Sequence, residues 1–257
     1  PPRLNVLSLQ ESKGLDLDEL ATHLAPFGVQ RATVKALLDT FEHAKTFGSL
    51  IQIADALNAQ LPTLTEALGK ANETGDLYAQ AAAQDLMALV EQAKVLGRKF
   101  DAVVANPPYM GRKYLNPTLK GVAASCYECC QADLYAMFIE RNMAFCEAGN
   151  HVAMICMDSW LSGEDFQEMR RQFVEQGTFV SVCHLGPHAF PEIPGEKVQV
   201  ASFVASVGTT SSYRCIFFDL VDKRDSSSKE QALLKGDGRF TVAVSDFAYV
   251  PRGVFTA

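Results

Sequence analysis

Asn106-Pro107-Pro108-Tyr109 is the stretch of this sequence whose residue types and order describe a reaction. Each proline fixes its own φ near −65° and removes a backbone N–H. Each also pushes the residue before it toward an extended conformation. The product is a stiff turn, rich in outward-facing carbonyls and poor in donors, to which Asn106 adds a side-chain amide oxygen. Such acceptors suit a group with two N–H donors on a weakly nucleophilic nitrogen, and the exocyclic amine of adenine is that group. The Asn106 side-chain oxygen and the Pro107 carbonyl can take the two hydrogens. This draws the nitrogen toward tetrahedral geometry and aims its lone pair at an electrophilic methyl. Orientation and fixed dipoles supply the catalysis, and S-adenosylmethionine is the natural methyl donor. Tyr109 offers a π face. A base must leave the duplex to reach it, at a cost of a few kcal/mol, and stacking returns about 1–3 kcal/mol per base.

Asn-Pro-Pro by itself is a common turn. Here it follows residues 100–105 (Phe-Asp-Ala-Val-Val-Ala), which read as a buried parallel strand, and it ends in an aromatic. In open α/β sheets, ligands bind beyond the carboxyl ends of the strands. The rest of the chain supplies elements for such a sheet. Leu17, Leu20, Ala21 and Leu24 recur at helical spacing until Pro26 and Gly28 break the pattern. A second helix is expected over 30–45, a third after Pro62, and a long Ala- and Leu-rich one over 75–97, ended by Gly97. Residues 4–9 read as a short strand. Past the motif, 110–130 read as a polar loop, 132–147 as a helix, 151–157 as a strand, 163–176 as a helix and 179–185 as a third strand. Strands over 198–207 and 213–220 are too close for a crossover helix and are expected to close the sheet as an antiparallel pair. Residues 222–238 read as a mobile polar loop.

The chain has 257 residues, 48% hydrophobic and 21% charged, the balance of an ordinary globular protein. No apolar run approaches the roughly 20 residues that span a bilayer, so no membrane association is expected. The start, Pro-Pro-Arg, has neither an initiator Met nor a signal-peptide layout, as expected of a fragment or a processed chain. Seven cysteines spread through apolar stretches fit reduced thiols. Cys126, Cys129 and Cys130 cluster without the second ligand pair that zinc requires. The net charge of −7 argues mildly against a free-standing nucleic-acid binder.

Residues 100–111 (FDAVVANPPYMG) resemble motif IV of the γ-class N6-adenine DNA methyltransferases. The resemblance continues through Asp133–Arg141, Gly149–Ile155, Ser159-Trp160-Leu161 and His184 to Phe190. The helical segment before Lys45–Ile51 resembles the large methyltransferases of BREX phage-defence systems, of the phage-growth-limitation type. The resemblance implies an α/β fold: a partial Rossmann-like S-adenosylmethionine-dependent methyltransferase sheet, with a closing antiparallel hairpin and an N-terminal helical insertion. It implies a first strand and insertion over 1–98, the catalytic core over 99–221, and a polar loop and linker over 222–257. It implies methylation of adenine N6 in double-stranded DNA with base flipping, in restriction-modification or phage defence. The partners are DNA and other defence subunits, and the compartment is the cytoplasm. Asn106, Pro107, Pro108 and Tyr109 are then catalytic, and Tyr109 and Phe190 clamp the flipped base. Ser49, Leu50, Asn106 and Phe138 border the cofactor. The family's glycine-rich cofactor loop, the acidic residue after its second strand and its target-recognition domain have no counterpart in this sequence. The chain alone is therefore expected to bind S-adenosylmethionine weakly or not at all and to methylate nothing.

Other residues carry more than one reading. His184 and His188 are expected to form a polar wall of the cleft, and Trp160 to be core. Arg112 and Lys113 follow the motif and suit either DNA phosphate or solvent. Asp158, at a strand end, is placed to touch cofactor or base. Two other functions use the same features. One is a protein glutamine-N5 methyltransferase, which holds an amide nitrogen with the same tetrapeptide. The other is a catalytically silent interaction module of a defence complex.

Overall fold

The computed structural model describes residues 6–192, 198–210, 212–243 and 246. The chain divides into two compact units, residues 1–98 and 99–257.

The first unit is helical: α1 (Leu17–Leu24), α2 (Arg31–Phe41), α3 (Ala44–Phe47), α4 (Asp55–Asn72) and α5 (Leu77–Leu96). Asp16 caps α1 by accepting the Glu19 N–H, and Asp76 caps α5 by accepting those of Tyr78 and Ala79. Leu20, Leu24, Val34, Leu37 and Phe41 form the buried side of α1 and α2. Helix α4 begins ahead of Pro62 rather than after it, and Pro62 lies inside it. A proline there costs about 3 kcal/mol. The buried stripe of Leu57, Leu61, Leu64 and Leu68 runs through it, and at about 1.5–3 kcal/mol per buried leucine it outweighs that cost. Residues 6–9 are not a strand; residues 4 and 5 of that expectation lie outside the described residues. The backbone next to them is satisfied locally. The Gln92 side chain on α5 accepts the Gln10 N–H at 2.9 Å and donates to the Gln10 carbonyl at 2.8 Å, as a strand partner would.

The second unit holds a six-stranded sheet: β1 (Phe100–Ala105), β2 (Cys146–Met157), β3 (Gly177–Gly186), β4 (Val200–Val207), β5 (Arg214–Asp219) and β6 (Arg239–Ala243). The order is β1-β2-β4-β3-β5-β6. Helix α7 (Leu134–Phe145) links the parallel pair β1 and β2, and α8 (Gln167–Gln176) leads from β2 to β3. This is the α/β, Rossmann-like arrangement expected from alternating strands and helices.

The closing hairpin is built differently from the expectation. Strand β4 does not pair with β5. It inserts antiparallel between β2 and β3, while β5 runs parallel to β3 and forms the antiparallel edge pair with β6. The reason is burial. Val200, Ala201, Phe203 and Ala205 are all buried, and a strand covered this fully belongs in the middle of a sheet. One sheet face carries Val152, Met154, Val182, Phe203 and Phe179 into the core, where Phe173 of α8 stacks on Phe179 at 4.3 Å. The alternate residues, among them Val104, Ala153, Ile155, Ser202 and Val204, line an open apolar groove of about 510 Å³ on the other face.

Two segments read as loops contain helices. Asn116 caps α6 (Pro117–Cys126) by accepting the Leu119 N–H, with Pro117 at its first position. Asp225 and Ser228 form a capping box at the start of α9 (Ser226–Lys235), which ends at left-handed Gly236. Helix α9 is polar, and α6 buries only Leu119 and Ala123, so neither shows a clear apolar stripe; the caps are the legible signal. Gly238 then allows entry to β6. Its φ is +71°, and a Cβ there would lie 2.3 Å from the Asp219 carbonyl oxygen. Residues 244–245 and 247–257, most of the expected linker, lie outside the described residues.

Candidate active site

Strand β1 delivers Asn106 to the carboxyl edge of the sheet, exposed, with Pro107 buried behind it and Tyr109 half-buried. The Tyr109 hydroxyl donates to Asn106 Oδ1 at 3.2 Å. As placed, the amide oxygen is the atom turned toward the hydroxyl, and the phenol serves as its donor. Burial, with a smaller contribution from Cys156, pushes the Tyr109 hydroxyl above the usual phenol range, so it stays a donor.

The far end of the Asn106–Tyr109 loop is fixed by residues whose role the motif itself does not show. Asp133 Oδ1 accepts the Met110 N–H at 3.0 Å and the Tyr135 N–H at 3.2 Å, so one carboxylate both caps α7 and holds the loop. The Met110 carbonyl accepts the Leu134 N–H at 3.0 Å, and the Ala132 carbonyl accepts the Arg112 N–H at 2.9 Å. Burial raises the Asp133 carboxyl above its ordinary range, and the N–H groups of Met110, Tyr135 and Leu134 partly oppose that. An Asp directly before an apolar helical run is an N-cap signature. That signal was available in the sequence; its second bond, to the Asn106–Tyr109 loop, was not.

Beneath Tyr109 lies Tyr135, fully buried, its ring edge-on at 6.2 Å between centroids. Tyr135 Oη and Ser159 Oγ are hydrogen-bonded at 2.8 Å. Ser159 belongs to the 3-10 turn Asp158–Leu161 that follows β2. Arg170 of α8, buried, secures this turn by donating to the carbonyls of Trp160 at 2.9 Å and Gly163 at 2.7 Å. In the same turn, Asp158 Oδ2 lies 2.9 Å from His184 Nε2. Sheet order creates this pair: Asp158 follows β2 and His184 lies near the end of β3. Trp160 is core, against Phe179 and Phe203.

The structure thus brings Asn106, Pro107, Pro108 and Tyr109 together with Asp133, Tyr135 and Ser159. Phe138 is half-buried on α7, three residues past Tyr135, and Phe190 is half-buried in the turn after β3. Ser49 and Leu50 belong to the first unit. There the 3-10 turn Gly48–Leu50 leaves Ser49 half-buried and puts Leu50 into that unit's core. Among the described residues, no group of three or more His, Cys, Asp or Glu is arranged to hold a metal ion. Cys129 accepts a hydrogen bond from Gln172 Nε2 at 3.0 Å, and Cys130 is buried. Among the described residues no helix is long and apolar enough to cross a membrane.

Residues 12–190 match the Eco57I restriction-modification methylase family. The chain is 33% identical over 271 aligned residues to the adenine-specific methyltransferase BrxX of Escherichia coli O9:H4 (strain HS), covering 97% of this chain and 22% of that protein. It is 27% identical over 228 residues to the adenine-specific methyltransferase PglX of Lacticaseibacillus casei (strain Zhang), covering 87% of this chain and 19% of that protein. The chain therefore spans about a fifth of the length of these curated relatives. A modification subunit of a putative type I restriction enzyme from Vibrio vulnificus YJ016 aligns more loosely, at 12% identity and a TM-score of 0.44, over 73% of this chain and 49% of that one.

Proposed function

The chain belongs to the Eco57I restriction-modification methylase family, and we propose that it carries the active-site portion of an enzyme that methylates the N6 amine of adenine in DNA. The observation that carries this reading is the Asn106–Tyr109 loop at the end of β1, its amide oxygen oriented by the Tyr109 hydroxyl and its far end held by Asp133. Asn106 Oδ1 and the Pro107 carbonyl accept the two amine hydrogens and aim the nitrogen lone pair. Tyr109 and Phe190 take the flipped base between them. Tyr135 and Ser159 keep the floor of the site in place. Such a site needs its acceptors preorganised, because reorienting them during the reaction would forfeit much of their effect.

The residues on this edge fit S-adenosylmethionine. Phe138 is a half-buried aromatic suited to an adenine ring, Asn106 presents an exposed acceptor, and the Asp133 and Asp158 carboxylates make the edge hospitable to a sulfonium cation. When bound, the cofactor supplies the electrophilic methyl. The family description extends the reading to restriction-modification, and the proposal carries further to phage defence of the BREX type, acting in the cytoplasm with double-stranded DNA and other defence subunits as partners of the whole protein. The test is to incubate the full-length protein with S-adenosylmethionine and DNA and to analyse the digested nucleosides. N6-methyladenine supports the reading. Methyl transfer to a peptide glutamine but not to DNA would establish the protein-methylating alternative instead.

A further inference from the structure

Between Asn106 and Tyr127 the sequence contains three cations, Arg112, Lys113 and Lys120, and no carboxylate, in a chain of net charge −7. All three are exposed. Among the described residues none of them is ion-paired with an acidic side chain. Arg31, Lys35, Lys70, Lys94 and Arg171 each sit on a carboxylate, whereas exposed Lys13, Lys45, Lys235 and Arg239 share the unpaired state but not the clustering around an exposed aromatic.

The segment is also built to a fixed shape. The Tyr114 N–H donates to the Gly111 carbonyl at 2.9 Å and the Leu115 N–H to the Arg112 carbonyl at 3.2 Å, while Leu115 is buried as an anchor. On this anchored turn Tyr114 is 70% exposed. Lys113 Nζ stands 4.8 Å from the centre of its ring, and Lys120 reaches back from α6 to within 3.4 Å of the Lys113 carbonyl. A rigid turn presenting an aromatic face among unpaired cations matches a nucleic-acid strand, whose phosphates take the charges and whose bases take the ring. Its place directly after the catalytic loop puts it beside the nucleotide being modified.

We propose that the Arg112–Tyr114 turn and Lys120 grip the DNA strand next to the target adenine, with the cations on phosphates and Tyr114 stacked on a neighbouring base. This rests on the DNA-methyltransferase reading. The test measures binding of a short mixed-sequence duplex to the full-length protein across a salt series. In Arg112→Ala/Lys113→Ala the slope of log Kd against log salt falls by about 2, since each phosphate contact contributes about 0.9. Arg112→Lys/Lys113→Arg keeps the wild-type slope, and saturating DNA restores the kcat of the alanine variant. Tyr114→Ala weakens binding by about fivefold or more with the slope unchanged, as loss of a stacked base predicts. An unchanged slope in the double alanine variant overturns the proposal and leaves the methyltransferase reading standing. A wild-type protein that does not bind DNA overturns both.

Discussion

Replacing Tyr109 separates two tasks of one side chain. Its hydroxyl bonds Asn106 Oδ1 at 3.2 Å in a half-buried setting, and its ring, with Tyr135 edge-on to it, is the face proposed to stack the base. A neutral hydrogen bond of this kind is worth roughly 0.5–1.5 kcal/mol net. Tyr109→Phe removes that bond and keeps the ring. The expected loss is about two- to tenfold in kcat, with KM for DNA within about twofold, because only the amide orientation has been relaxed. Tyr109→Ala also removes the stacking face, worth about 1–3 kcal/mol. It should cost a further factor of about five to a hundred or more, in KM as well as kcat. Steady-state methyl transfer to DNA by the full-length variants reads both. A Phe variant faster than wild type would refute the reasoning, since the hydroxyl would then be obstructing Asn106. So would Phe and Ala variants of equal activity, since the ring would then contribute nothing. Because the hydroxyl is held above the ordinary phenol range, its ionisation should not limit the rate below about pH 10.

Other residues give independent outcomes. Asp133→Ala should lower kcat by about 10- to 100-fold through a displaced catalytic loop and cost about 1 kcal/mol of stability as a lost cap. Asp133→Asn, which still offers an acceptor oxygen, should retain most of the rate. The Asp133 carboxyl is raised in the fold, so its ionisation opposes folding as pH rises past the unfolded value. The Asn variant should therefore match or exceed wild-type stability at neutral pH in denaturant titrations. Trp160→Ala should destabilise by about 3–5 kcal/mol, since it opens a hole beside Phe179 and Phe203. Burial pushes the Cys183 thiol up to about 11 and that of Cys215 to about 12. Stability from these raised groups is complete below the unfolded thiol range and is lost as pH rises through those values. At pH 8, alkylation mapped by mass spectrometry should reach exposed Cys126 well before Cys183 or Cys215.

How much of this was legible in the sequence depended on whether the signal was local. Strand β1, helix α7 and the Asn106–Tyr109 tetrapeptide follow from short-range pattern: an apolar run, a helical period and two prolines; β1 is parallel as expected but not buried, its residues being half-buried or exposed, because one face of the sheet there is open. Helices α6 and α9 were missed because their exposed sides dilute the period, although Asn116 and Asp225 mark their starts. The position of β4 between β2 and β3 was out of reach. Its neighbours are chosen by burial of the face that carries Ala201, Phe203 and Ala205, not by the short link to β5. The Asp158–His184 pair depends on that strand order, because two residues 26 apart meet only once β2 and β3 flank β4. Asp133 was half visible: as a cap it could be read, but as the clamp on Met110 it required the structure. Leu50 shows the opposite case, a residue assigned to the cofactor whose side chain fills the core of the helical unit.

The most direct test of the central claim compares Asn106→Ala with wild type in the full-length protein, in single-turnover methylation of DNA. If Asn106 Oδ1 holds the target amine in the transition state, N6-methyladenine should form about 10²- to 10³-fold more slowly in the variant, with DNA binding retained. An Asn106→Ala protein that methylates adenine at the wild-type rate would contradict the account.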